Sequence, residues 1–259
     1  MMIDIHAHIG VVPGGFQMPL ENQLHGMEKY GIDYALISDI RCGESQTVTD
    51  GKTPFQTLIN QEAADTVRAN KDRPGLMLWC RPNAEEGFTQ EFAEIYRNNK
   101  DIVKGLKVHP DISGLPFNDD KVCPYLELAQ EYSLPVLIHT QENAYSKVSF
   151  VREMPRRFPK VNFILGHMSL AGDKTESFRA LAEYPNIYGD TAWVSYEDVV
   201  KACNLGLEDK ILFGTDSPIA GPDTYGDPVY YLPLYHNREL PSRTADKILF
   251  QNAQRLFRL

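Results

Sequence analysis

The chain has 259 residues, 42% hydrophobic and 24% charged, the usual balance of a globular protein long enough to bury a sizeable core. Its 26 basic and 35 acidic residues give a formal net charge of −9, which argues against nucleic acid or an anionic membrane surface as partner, because both demand a basic face. No apolar stretch approaches the roughly 18 residues of a membrane span.

Taken in chain order, the sequence alternates short apolar runs with helix-like stretches. Met2–Ile9 is the first run; it carries Asp4, His6 and His8 and lacks a basic n-region, so it is expected to be a strand and not a signal peptide. Tyr34–Ile40 follows, then an amphipathic helix over Leu58–Ala69, the run Gly75–Cys80 and a helix over Glu91–Arg97. The runs Val103–His109, Pro135–Thr140, Val161–His167, Asn186–Asp190 and Ile211–Asp216 complete the set of eight. Helices are expected between them at Tyr125–Tyr132, Ser177–Glu183 and Tyr196–Ala202. Pro218 to Leu240, rich in Pro, Gly and Tyr, reads as a long loop. The tail from Ser242 to Phe257 reads as a helix with Ser242 as its N-cap.

Near-continuous apolar runs are the mark of strands buried on both faces, and strands alternating with helices imply a parallel sheet. Eight such units in about 250 residues match a (β/α)8 TIM barrel, expected here as a single domain over residues 1–259. The doubly wound open sheet is the alternative, but its glycine-rich turn after the first strand is missing. Cys42, Cys80, Cys123 and Cys203 form no CxxC pair, so neither a zinc ribbon nor a disulfide framework is expected. Four reduced thiols fit a cytoplasmic protein.

Five of the seven histidines sit at or near the carboxyl ends of these runs: His6 and His8 (IDIHAH), His109 (GLKVHP), His139 (PVLIHT) and His167 (NFILGH). Asp216 ends the eighth run (ILFGTDSP). In a barrel all those ends meet at one rim, and side chains two apart on a strand share a face, so His6 projects with His8, and Lys107 with His109. Two imidazoles on one strand, another from a later strand and an opposing carboxylate make a first shell for a divalent metal. Lys107, inside a buried strand, must be paired or functional: an ion pair with Asp216 or another carboxylate, a contact to a substrate anion, or a carbamate bridging two metals. His109 is either a rim residue or part of the same cluster.

These residues resemble the amidohydrolase superfamily. HxH on the first strand, GLKVHP around Lys107, IH at His139, GH at His167, FGTDSP at Asp216 and the closing KILFQNAQRLF are similar to the amidohydrolase-related group that includes aminocarboxymuconate semialdehyde decarboxylase. The resemblance implies a metal-dependent TIM-barrel enzyme with one divalent ion, usually zinc, held by His6, His8, His139 and Asp216, or two ions if Lys107 is carbamylated. It implies that His167 polarises substrate or orients the attacking water. It further implies attack of activated water on an amide, ester or lactone of a small molecule, with Asp216 moving the proton. A non-hydrolytic decarboxylase of a small unsaturated or aromatic acid is the alternative; a two-metal phosphoesterase and a non-catalytic barrel are more distant ones. At 259 residues the chain is shorter than typical decarboxylases of the group.

Arg41 and Arg81, just after the second and third runs, could reach a substrate carboxylate through their guanidinium forks or make surface ion pairs. Trp193, after the seventh, could wall the pocket or simply pack. The expected partner is a small molecule, with neither nucleic acid nor membrane; a homodimer is compatible with the sequence.

Overall fold

The structure, a computed structural model, describes residues 1–11, 17–44, 56–70, 72–236 and 239–259. Eight strands run parallel in one curled sheet: β1 (Ile3–Val11), β3 (Tyr34–Asp39), β4 (Pro74–Cys80), β5 (Val103–Val108), β6 (Val136–Gln141), β7 (Phe163–Leu170), β8 (Ile187–Asp190) and β9 (Ile211–Leu212). A short antiparallel strand, β2 (Gln17–Met18), pairs with Gly10 and Val11 beyond the β1 end of the order. The eight expected runs therefore appear as the eight parallel strands, each next to its sequence neighbour. At the far end, the chain after β9 meets β1: Ile5 N–H bonds to Phe213 O, Asp216 N–H to His6 O, and His8 N–H to Ser217 O.

The two faces of the strands have different jobs. One face carries Ala7, Ile37, Leu78, Val108, Ile138 and Leu165, which join helix residues such as Met27, Ala63, Phe92 and Leu126 in the larger core cluster. The other, concave face carries Ile3, Ile5, Leu36, Met77, Leu137, Ile164 and Leu212, from six of the eight parallel strands. These pack with Ala253, Leu256 and Phe257 of the last helix, which covers that end of the sheet. Two residues further along stand Ser38, Trp79, His139 and Gly214, and Asp190 follows Tyr188 of β8 in the same way, on the same face because side chains alternate. An apolar layer thus underlies a layer rich in polar groups.

β1 obeys this rule only because of a bulge. Strict alternation would put Ile5 and His6 on opposite faces, yet the register with β3 shifts between Asp4 and Ala7. Asp4 holds the irregularity: its Oδ1 accepts His6 N–H at 2.9 Å and Thr215 N–H at 3.1 Å, and its Oδ2 accepts the Thr215 hydroxyl at 2.6 Å. Gly214 makes room, since a Cβ there would stand 3.0 Å from His6 Cβ.

The helices lie at Gln56–Arg68, Gln90–Asn98, Cys123–Tyr132, Thr175–Glu183 and Tyr196–Asn204, within a few residues of expectation. A helix at Leu20–Tyr30 has no counterpart in the sequence reading, its buried residues being only Leu20, Gln23, Gly26 and Met27. The tail is helical from Ser242 to Phe257, with a widened turn over Lys247–Gln251, but Pro241 occupies the cap position and Ser242 makes no capping bond. The expected loop of 218–240 contains a short helix at Leu232–His236; residues 237 and 238 lie outside the described residues.

Candidate functional site

Three donor atoms face one another at the carboxyl end of the sheet. His8 Nε2 lies 2.8 Å and His6 Nε2 3.2 Å from Asp216 Oδ1. Each of the three side chains has its remaining polar atom tied down. His6 Nδ1 bonds to Asp190 Oδ2 at 2.7 Å, which in the neutral ring places the proton on Nδ1 and the lone pair on Nε2. His8 Nδ1 lies 3.0 Å from Ser38 Oγ, a hydroxyl able to donate or accept. Asp216 Oδ2 accepts the Trp193 indole N–H at 2.8 Å.

The donors of His6, His8 and Asp216 all lie within 4.8 Å of one another, as do those of His6, His167 and Asp190. Outer partners that orient imidazole ligands are the usual surroundings of a metal site, and two nitrogens with one carboxylate oxygen suit a borderline divalent ion. The residues present therefore could hold a divalent metal.

Asp190 is the hub that sequence reasoning missed. Besides gripping His6, its Oδ1 accepts the main-chain N–H of His167 at 2.7 Å and of Ala192 at 3.1 Å. The signal was present, since the seventh run ends in this carboxylate much as the eighth ends in Asp216. His167 sits in left-handed backbone at φ 68°, as do Met168 and Ser169 after it, and its Nδ1 lies 3.2 Å from Ala192 O. A carbonyl can only accept, so Nδ1 carries the proton and Nε2 offers a lone pair.

His139 reaches the same level on β6, its ring centroid 4.7 Å from that of His167, but it belongs to neither compact donor group. It stacks on His109 with centroids 3.8 Å apart, and His109 stacks in turn on Trp79. Lys107 Nζ lies 2.7 Å from His6 Nε2, and among the described residues no carboxylate oxygen comes within 4.0 Å of it. The ion pair weighed for Lys107 is thus not formed, and its Nζ stands against the nitrogen that a metal would need.

Burial dominates the protonation of these groups. It pushes His8 down to about 4 and His139 to about 3, and holds His109 and His167 well below the ordinary imidazole value, so these four are neutral near pH 7. Burial lowers Lys107 to about 8 against the pull of Asp216 and Asp190. Burial also works to raise Asp216, but His6, His8 and His167 hold it well below the carboxylate range. For His6, burial and Lys107 push down while Asp216 and Asp190 push up and prevail.

The arginines are differently placed. Arg41 is engaged by Asp39 (Nη2 to Oδ2, 2.7 Å) and Glu62 (Nη1 to Oε2, 2.8 Å). Arg81 is buried at the end of β4, where its main-chain N–H bonds to Gln56 Oε1. Trp193 lines the rim but, through Asp216, also positions a candidate ligand.

The sequence pattern described by the amidohydrolase family model matches residues 3–259. The chain belongs to the amidohydrolase family. It is therefore an enzyme of a family whose members usually bind a divalent metal, and its own His/Asp groups could hold one. Among curated protein sequences no match to this amidohydrolase is found. Among solved structures it is similar to a 5-carboxyvanillate decarboxylase from Sphingomonas paucimobilis (TM-score 0.72, 16% identity, covering 100% of this chain and 99% of that one). It is also similar to a 2,6-dihydroxybenzoate decarboxylase from Rhizobium (0.68, 15%, 99% and 98%) and a 4-oxalomesaconate hydratase from Rhodopseudomonas palustris (0.70, 16%, 100% and 96%). At these identities the likeness is one of fold.

Proposed function

We propose that this amidohydrolase is a one-metal hydrolase of an amide, ester or lactone bond in a small molecule. In this reading residues 1–259 form one domain, and the bonds from the chain after β9 to β1 close the sheet into a (β/α)8 barrel. The observation that supports it most is the trio of His6 Nε2, His8 Nε2 and Asp216 Oδ1, each facing inward with its other polar atom tied down. His139 would complete the set after a ring rotation away from its stack. A divalent ion, zinc by the match to imidazole nitrogen, supplies Lewis acidity that brings the pKa of a water from 15.7 to about 7.

The remaining chemistry belongs to the chain. The Asp216 carboxylate takes the proton of the attacking water and returns it to the leaving nitrogen or oxygen, while the Trp193 indole N–H fixes its orientation. His167, neutral and with its lone pair at Nε2, accepts an O–H from that water and aims it. Of the two roles the resemblance implies, this tautomer favours orienting water over polarising a carbonyl. Lys107 must leave His6 when the ion enters, and its ammonium is then available to the substrate side.

Decarboxylation is the second reading, favoured by the two decarboxylases among the similar structures. The test is a screen of lactones, esters, amides and aromatic acids in H2(18)O. Product carrying 18O supports hydrolysis; CO2 release without 18O uptake assigns the lyase, and turnover that survives Asp216→Asn overturns both.

A further inference from the structure

A cleft of about 290 Å³ lies beside the histidine–carboxylate cluster, lined among others by Gly172, Lys174, Trp193, Ser195, Asp198 and Tyr230. Trp193 belongs to both places, since its indole N–H holds Asp216. One group that lines this cleft, Lys174, and one directly behind its Gly172 wall, Ser169, lack the partners that burial demands. Lys174 is only 5% exposed, yet among the described residues no carboxylate oxygen lies within 4.0 Å of its ammonium, whose one hydrogen bond runs to Ser169 O at 2.6 Å. Ser169 is 1% exposed and its hydroxyl has no hydrogen-bond partner among the described residues; it stands 3.0 Å from where a Gly172 Cβ would be. An unpaired buried ammonium and an unsatisfied buried hydroxyl side by side are costly unless something else satisfies them.

The backbone adds the same sign of charge. The helix Thr175–Glu183 begins immediately after Lys174 with no side-chain cap, so its N-terminus opens on the cleft, whereas the N-terminus of Tyr196–Asn204 is already capped by the Ser195 hydroxyl, which accepts Asp198 N–H at 3.1 Å. Asp198 lines it too, but its Oδ2 is taken by the Ser195 hydroxyl at the start of its own helix. His167–Ser169, held in left-handed backbone, carries the Ser169 carbonyl to Lys174 and ends where the cleft begins.

We infer that this cleft binds a carboxylate of the substrate, with the Lys174 ammonium as counter-ion and the Ser169 hydroxyl as a hydrogen-bond donor, next to the reacting centre at Asp216. The substrate class is then a small organic acid whose reacting group and recognised carboxylate lie on either side of Trp193. The inference rests on the proposed function only in taking the bound anion to be part of the substrate; anion binding itself needs no metal.

The test is therefore made on chelator-treated, metal-free protein, titrated calorimetrically with malonate, with malonamide as the uncharged control and inorganic phosphate as a second anion. Malonate should bind wild type with a millimolar dissociation constant, on the order of −4 kcal/mol, and malonamide should not. Lys174→Met should weaken malonate at least tenfold, Lys174→Arg less than threefold, and Ser169→Ala severalfold. The arginine and alanine variants carry the test should the methionine variant fail to fold. Equal malonate affinity in wild type and a folded Lys174→Met or Ser169→Ala, or no binding by wild type, would overturn the site. Tighter binding of phosphate than of malonate would overturn its assignment to a carboxylate. A protein that takes up no metal but passes this test refutes the proposed function alone.

Discussion

Replacing Asp190 by Asn probes the site through a residue that need not touch the metal. In wild type one carboxylate oxygen accepts the His6 Nδ1 proton at 2.7 Å and the other accepts two main-chain N–H groups, at 2.7 and 3.1 Å. An asparagine amide has one acceptor oxygen, and the two N–H groups of His167 and Ala192 will hold it. Its NH2 then faces His6 Nδ1, donor against donor. The imidazole escapes by moving its proton to Nε2, the atom that faces His8 and Asp216. Losing a partner that orients a ligand costs roughly 10–100-fold in metal affinity, or about 1.4–2.8 kcal/mol. Fold stability should change less, because the main-chain bonds survive. Zinc competition with a chromophoric chelator at pH 7.5, beside urea melts of metal-free protein, measures both. A folded Asp190→Asn protein whose zinc affinity stays within twofold of wild type would refute the tautomer argument.

The other expectations concern neighbouring contacts. Trp193→Phe keeps an aromatic ring but frees Asp216 Oδ2; a hydrogen bond to a charged group is worth about 1.5–3 kcal/mol, so zinc affinity by the same competition should fall about tenfold or more. Lys107→Met removes the ammonium from His6 Nε2 and should strengthen binding of the first zinc severalfold, whereas a fall, with loss of a second ion, would assign Lys107 to metal holding through a carbamate. Asp4→Asn breaks the brace between β1 and Thr215 and should cost about 1–3 kcal/mol in urea unfolding at neutral pH if the amide leaves one donor unmet. Burial raises Asp4 to about 7, so the folded state holds a proton that the unfolded chain releases near 4; its share of stability is present below that lower value and declines as pH rises to about 7. Metal-free wild type should therefore lose more stability than Asp4→Asn between pH 5 and 8, and parallel curves would contradict this.

Strands buried on both faces announce themselves as apolar runs, which is why all eight parallel strands could be placed from the chain alone. The histidines and Asp216 were legible because they interrupt or end such runs with groups that a core would exclude. The β1 bulge was not: nothing in IDIHAH says that Ile5 and His6 share a face, since a bulge is set by the long-range brace from Asp4 to Thr215. Asp190 was hidden by its ordinary look at a strand end, and Trp193 read as a wall because a hydrogen bond over 23 residues leaves no local trace. The Leu20–Tyr30 helix lacked a full apolar stripe, as the segment after β9 packs over it through Tyr225. Ser169 sits near the end of β7 and Lys174 in the polar stretch after it, and only the fold buries them.

The most direct measurement is the metal content of untagged protein, purified without chelator, by elemental mass spectrometry beside Asp216→Ala and His6→Ala. About one zinc per wild-type chain, lost in both variants and regained by neither on adding zinc, is the predicted result. Wild type that holds no metal even after zinc is added, or variants that retain it undiminished, would contradict the reading of His6, His8 and Asp216 as the ligands on which the proposed chemistry depends.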